Sequence, residues 1–258
     1  MERQRIKEYN HRYFLVPGEC TPEGEMPVTL LLTRIIEVAT EHADMWGVGY
    51  STLVTSNESW VLTRVTIEMT KMPPVNKKYV FSTWIENYNR RFSQRNFEIA
   101  DDEGNVLGYS RTLWVVINSR TRESVDISKF SYMSEVVSQH PCPIEPQSKL
   151  QPVSQGTTAH YSFKYCDLDI NQHVNSVRYV ELLMNQLPLE VYQANRVKRF
   201  EISYIRECRY AEDVIVKVDS TTNDVHLEIT DTDGNSHCRA RILLEPRHGK
   251  KYARDKAK

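Results

Sequence analysis

The sequence predicts an α+β chain of two similar halves, each a long helix followed by an antiparallel meander of strands, with the helix covering one face of its sheet. Three observations carry this expectation. Four of the 11 prolines, Pro141, Pro143, Pro146 and Pro152, crowd together just past mid-chain and precede the polar run Ser154-Gln155-Gly156-Thr157-Thr158. Such a stretch continues neither a helix nor a central strand and reads as a linker. On its two sides, Thr33-Arg34-Ile35-Ile36-Glu37-Val38 can be laid on Val177-Arg178-Tyr179-Val180-Glu181-Leu182 at an offset of 144. Strand-like alternation then follows each helical segment. The expected division is 1–135, a Pro-rich linker 136–156, a second half 157–247 and a basic tail 248–258.

The first helix is expected from about Pro27 to Met45, and the second from Asn175 to Leu187, where Pro188 stops it. Behind the first, Val65, Ile67 and Met69 alternate with Arg64, Thr66 and Glu68; behind the second, Phe200, Ile202 and Tyr204 alternate with Arg199, Glu201 and Ser203. A period of two marks a half-buried strand. Further strands are expected at Tyr79–Ile85, Asn96–Ala100 and Ser110–Ile117, and again at Val214–Val218, Val225–Thr230 and Cys238–Leu244. Asp102-Glu103-Gly104-Asn105 and Thr232-Asp233-Gly234-Asn235 mark equivalent hairpin turns.

Composition narrows the function. With 40% hydrophobic and 26% charged residues the chain is of ordinary globular type, and 33 Lys+Arg against 34 Asp+Glu provide no global positive field for nucleic acid. No apolar run approaches the roughly 18 residues of a spanning helix, and Met1 to Lys7 lack a signal-peptide core, so no membrane span and a cytoplasmic location are expected. The cysteines, Cys20, Cys142, Cys166, Cys208 and Cys238, are odd in number and without CxxC spacing, which points to free thiols. No HExxH, paired-Cys, GxGxxG, Walker or GxSxG pattern occurs, so neither a metal nor a cofactor is expected.

The densest polar cluster runs from Tyr165 to Asn175, ahead of the second helix. Asn175 is a good N-cap, and the helix start behind it offers free N–H groups suited to an oxyanion. Asp169, Asn171 and His173 alternate, so an extended segment would project all three to one side; the competing expectation is a turn capped by Asx side chains. At the helix offset Asn171 falls on Pro27 and His173 on Thr29, and at the strand offset of 135 Glu207 falls on Met72. The polar set therefore occurs in one half alone, as a site kept once in a duplicated fold would. Glu207 and Cys208 close the strand from Phe200 to Arg206. Glu207 could be a general base or a solvated strand end between arginines.

Asp167-Leu168-Asp169-Ile170-Asn171-Gln172-His173-Val174-Asn175, followed by Tyr204-Ile205-Arg206-Glu207-Cys208, resembles the signature pair of the acyl-acyl carrier protein thioesterases. Glu41-His42-Ala43, Gly47 to Thr52, Trp60 to Arg64 and Thr83-Trp84-Ile85 extend the likeness from about Phe14 to Glu245. The resemblance implies a tandem hot-dog fold, each half a long helix wrapped by an antiparallel sheet. The missing plastid leader is as expected of a bacterial-type member. It implies hydrolysis of the thioester on acyl carrier protein (ACP), with Glu207 as base, His173 and Asn171 orienting water and thioester, Asp169 fixing their hydrogen bonds and the Asn175 helix end holding the oxyanion. A papain-like alternative makes Cys208 the nucleophile. The first half would supply the acyl tunnel, with Ile35, Val38, Met45 and Trp46 as candidates beside Leu31, Val65, Ile67 and Met69. Basic residues expected to meet the acidic carrier are Arg90, Arg91, Arg196, Lys198, Arg199, Arg206 and Arg209, and a homodimer is left open. Rival expectations are an acyl-CoA thioesterase or hydroxyacyl dehydratase of the same fold, and a non-catalytic acyl sensor.

Overall fold

The computed structural model describes residues 6–130 and 133–247; the tail expected at 248–258 lies outside the described residues. The first half contributes β1 (Glu8–Phe14), α1 (Val28–Met45), β2 (Glu58–Met69), β3 (Lys78–Tyr88), β4 (Ser93–Asp101) and β5 (Val106–Asn118). The second contributes β6 (Thr157–Ser162), α2 (Ser176–Met184), a short α3 (Leu189–Ala194), β7 (Asn195–Tyr204), β8 (Asp213–Ser220), β9 (Asp224–Asp231) and β10 (Ser236–Pro246). All ten strands join one antiparallel sheet in the order β1-β3-β4-β5-β2-β7-β10-β9-β8-β6. Outward from its centre, β2 matches β7, β5 matches β10, and so on to the edges. The weak sequence repeat is thus a two-fold repetition of the sheet. At the seam Val65 pairs with Ile202 and Ile67 with Phe200.

Both long helices lie on one face of this sheet. Leu31, Ile35 and Val38 follow the three-and-four spacing of an apolar stripe and join Val180 and Leu183 of α2 against Val65, Ile67, Phe97, Phe200 and Ile242 in one buried cluster. Asn175 caps α2 as expected, its Oδ1 accepting from Val177 N–H at 2.9 Å. The two predicted turns are equivalent, with Gly104 and Gly234 at φ 86° and 87°, the left-handed region that glycine enters without strain.

The Pro-rich residues lie across the opposite face of the sheet. Their irregular backbone makes few bonds of its own, and the carbonyls of Glu145, Ile144 and Cys142 accept from Arg199 and Arg111 at 2.6–2.8 Å. This cover changes the expected one-sided burial: Thr66 and Glu201, on the polar side of their strands, are both buried. Three other features depart from expectation. β7 ends at Tyr204, not Arg206; α2 stops at Met184, before Pro188; and the edge strands β1 and β6, with α3, were absent from the pattern.

Candidate active site

The segment before α2 does not stay extended. It turns at Ile170 to Gln172, with Gln172 at φ 63°, and Asp169 Oδ1 accepts the N–H groups of Asn171 at 2.8 Å and His173 at 3.4 Å. Asp169 thus caps the turn, as the Asx expectation held, and corrects the picture of three side chains projecting from one strand. The turn still brings Asp169, Asn171, His173 and Asn175 to one cavity of about 680 Å³, with Ser176 from the first turn of α2. Val174 N–H donates to Cys208 O at 2.9 Å, which ties this loop to the segment after β7.

That segment places Glu207 and Cys208 on opposite sides. The N–H groups of Ile205 and Arg206 both donate to His237 O, and Cys208 N–H donates to Tyr179 Oη at 2.7 Å. Glu207 faces the cavity, its Oε2 lying 3.4 Å from His173 Nε2. Cys208 is fully buried in the core cluster, where burial pushes its thiol up to about 12. Arg206, which the alternation would bury, is exposed because the strand has already ended. Arg122, from the loop after β5 and not among the residues expected from the sequence, pairs with the same Glu207 carboxylate from a backbone at φ 64°. Nothing in the local sequence marks it, since the contact spans the two halves.

A second, largely apolar cavity of about 290 Å³ adjoins the first and shares Ile36, Ser59, Trp60, Trp114 and Asn171 with it. Its wall along α1 is Ile36, Ala39, Thr40 and Ala43, with Trp46 just past the helix end. Of the tunnel candidates, Trp46 lines it. Ile35 and Val38 sit one step around the helix, wholly buried against the sheet with Leu31, Val65, Ile67 and Met69, and Met45 is exposed. Apolar character locates a residue indoors, but the phase of the helix decides whether it meets sheet or cavity.

The expected basic patch is dispersed. Arg199 is buried between Glu201 and Glu68, Arg196 pairs with Glu245, and Arg90 pairs with Asp126. Arg122, Arg206 and Arg209 line the polar cavity. At the opposite ends of the two helices a third cavity of about 420 Å³ contains Pro27, Thr29 and Met72, the positions that the repeat aligns with Asn171, His173 and Glu207. Its lining has no histidine. The fold therefore offers the cleft twice and furnishes it with the polar set once.

Two helix-backed halves that share one sheet define a double hot-dog protein, here with a polar cavity opening onto an apolar one. The chain belongs to the acyl-ACP thioesterase family: its N-terminal domain matches residues 6–133 and its C-terminal domain residues 150–246. The crystal structure of an acyl-ACP thioesterase from Bacteroides thetaiotaomicron is similar with a TM-score of 0.87 and 33% identity, covering 93% of this chain and 98% of that one. A chloroplastic palmitoyl-ACP thioesterase of Gossypium hirsutum is 24% identical over 233 residues, 84% of this chain and 56% of that protein. The chloroplastic oleoyl-ACP thioesterase 2 of Arabidopsis thaliana is 27% identical over 251 residues, 88% of this chain and 67% of that protein. The chain thus spans between about half and two thirds of the length of these plant relatives. Among the described residues no helix is long and apolar enough to cross a membrane.

Proposed function

We propose that the chain hydrolyses the thioester joining a fatty acyl group to the phosphopantetheine arm of ACP. The observation that carries this is the junction of the two cavities at Asn171, which lets an acyl chain lie along α1 while its thioester sits beside His173 and Glu207. Family membership supports the same chemistry. Glu207 takes a proton from water as its oxygen attacks the carbonyl carbon. Asn171 and the Ser176 N–H at the start of α2 stabilise the charge that builds on the carbonyl oxygen. When the tetrahedral intermediate collapses, the C–S bond breaks and the proton held by Glu207 returns to the leaving thiolate. His173 orients Glu207 and the water, and Asp169 holds the turn that presents both Asn171 and His173.

Cys208 fits the nucleophile role poorly. It stands outside the cavity lining, and burial keeps its thiol protonated at neutral pH. All five cysteines are free, which supports a reducing, cytoplasmic setting. The test is kcat/KM on a matched acyl-ACP and acyl-CoA pair. A clear preference for the carrier is expected, because contacts remote from the thioester contribute binding energy to the transition state. Equal values would point to an acyl-CoA thioesterase, and no turnover of either to a binding protein.

The α1 wall makes a further expectation specific. Ala39→Phe or Ala43→Phe should lower kcat/KM for long chains while short chains are still turned over, since the added ring fills the cavity those chains need. A loss of about tenfold or more corresponds to excluding one or two methylenes. An unchanged chain-length profile in both variants would place the acyl chain elsewhere.

A further inference from the structure

Three side chains of the kinds that ligate metals meet on the side of the backbone opposite Glu207. Cys208 from the loop after β7, Glu212 from the turn before β8 and His237 at the start of β10 bring a sulfur, a carboxylate oxygen and a ring nitrogen within 4.8 Å of one another. Cys208 is buried, His237 is 1% exposed, and Glu212 is partly open to solvent, so an ion has a way in. The imidazole sets the demand. Its Nδ1 lies 3.4 Å from Arg206 O, which can only accept, so Nδ1 carries the ring proton and donates it there. Nε2 then presents a lone pair. It has no hydrogen-bond partner among the described residues, although Glu212 Oε1 is 3.1 Å away, and that oxygen is itself an acceptor. Two lone pairs held this close in a buried place call for a cation between them. A second proton on the ring would answer the carboxylate alone; a metal ion answers the sulfur too.

We propose that Cys208, Glu212 and His237 form a site for one divalent ion of the zinc class, which fastens the segment bearing Glu207 to the start of β10. Thiolate, imidazole and carboxylate together suit zinc among the common divalent ions, and three protein ligands are what a four-coordinate zinc with one open position takes. Bonds of about 2.0–2.3 Å space such ligands roughly 3.3–3.6 Å apart, close to the His237–Glu212 separation and within reach of the sulfur. The outer contacts that orient such ligands are in place: His237 Nδ1 on Arg206 O, and the other Glu212 oxygen accepting Arg209 N–H at 2.8 Å. The carboxylate and the thiolate meet the two positive charges of the ion. As the metal–sulfur bond forms the S–H bond breaks, and its proton leaves to solvent. Burial, which pushes that thiol up to about 12, resists this step; the charge of the metal and the hydrogen bond with Tyr179 favour it. The chain spacing of the three matches neither a paired-Cys nor an HExxH pattern, which is why the sequence raises no expectation of a metal.

In the test the full chain is freed of metal with a chelator, then titrated with zinc chloride by calorimetry and with cobalt chloride by absorption. One equivalent should bind, and cobalt should add a thiolate-to-metal charge-transfer band. Zinc should also raise Tm, because it binds the folded site more tightly than the unfolded chain. Cys208→Ala should abolish the cobalt band, whereas Cys166→Ser, which removes the exposed thiol, should leave it. His237→Gln and Glu212→Gln should each weaken zinc by about a hundredfold or more, at or beyond the upper end of what losing an outer contact costs. Glu212 stands at the rim, so Glu212→Gln is decisive if the buried variants do not fold. A band absent from wild type, or one that survives in Cys208→Ala, overturns the proposal, as does a zinc affinity unchanged in Glu212→Gln. None of these readings uses turnover, so the metal site and the hydrolysis are decided separately.

Discussion

Glu207→Gln is expected to lower kcat by on the order of 10²-fold or more, while Cys208→Ala stays within about tenfold of wild type. Glu207 stands in the cavity 3.4 Å from His173, and its carboxylate is the group that can accept a proton from attacking water. The glutamine amide keeps the shape and cannot take that proton. Cys208 is on the other side of the same backbone, wholly buried, with its thiol held protonated by its surroundings. A nucleophilic cysteine would also have to pass through an acyl-enzyme that is itself a thioester, which gains nothing over the substrate. Alkylation of the native protein gives an independent reading: exposed Cys166 should be modified well before Cys208. An acyl group trapped on Cys208, or a dead Cys208→Ala enzyme of normal stability, would reverse the assignment.

His173→Ala and Asn171→Ala should each cost on the order of 10²-fold in kcat, the usual scale for losing an acid/base partner or an oxyanion donor. Neither change should unfold the loop, because the turn is held by backbone N–H groups donating to Asp169 rather than by these two side chains. Thermal stability near that of wild type is therefore part of the expected result. Asp169→Ala should behave differently: it removes the acceptor for both N–H groups, so activity falls together with the order of the turn, and Asp169→Asn, which keeps one acceptor oxygen, should restore part of it. Full activity in both His173→Ala and Asn171→Ala would move the chemistry away from this cavity.

The sequence by itself determined the elements whose signals are local. The apolar spacing of Leu31, Ile35 and Val38 marks α1, Asn175 caps α2, and the alternation of Val65, Ile67 and Met69 marks β2 because each pattern reflects a backbone period. The confinement of Asn171, His173 and Glu207 to one half was equally legible, since it needs only an aligned repeat. Tertiary structure decided what depends on distant partners. The edge strands β1 and β6 carry mixed polar and aromatic residues whose burial is set by the neighbouring strand. The Pro-rich stretch became a cover because Arg111 and Arg199 offer it donors. The apolar cavity is lined by Ile36, Ala39 and Ala43 while Ile35 and Val38 pack on the sheet, since which side of a helix meets a cavity rather than a sheet depends on how the helix is laid down. Arg122 reaches Glu207, and Arg95 meets His42, across 85 and 53 residues of chain. Polar groups brought together over such separations leave no local period, and only the folded sheet makes them neighbours.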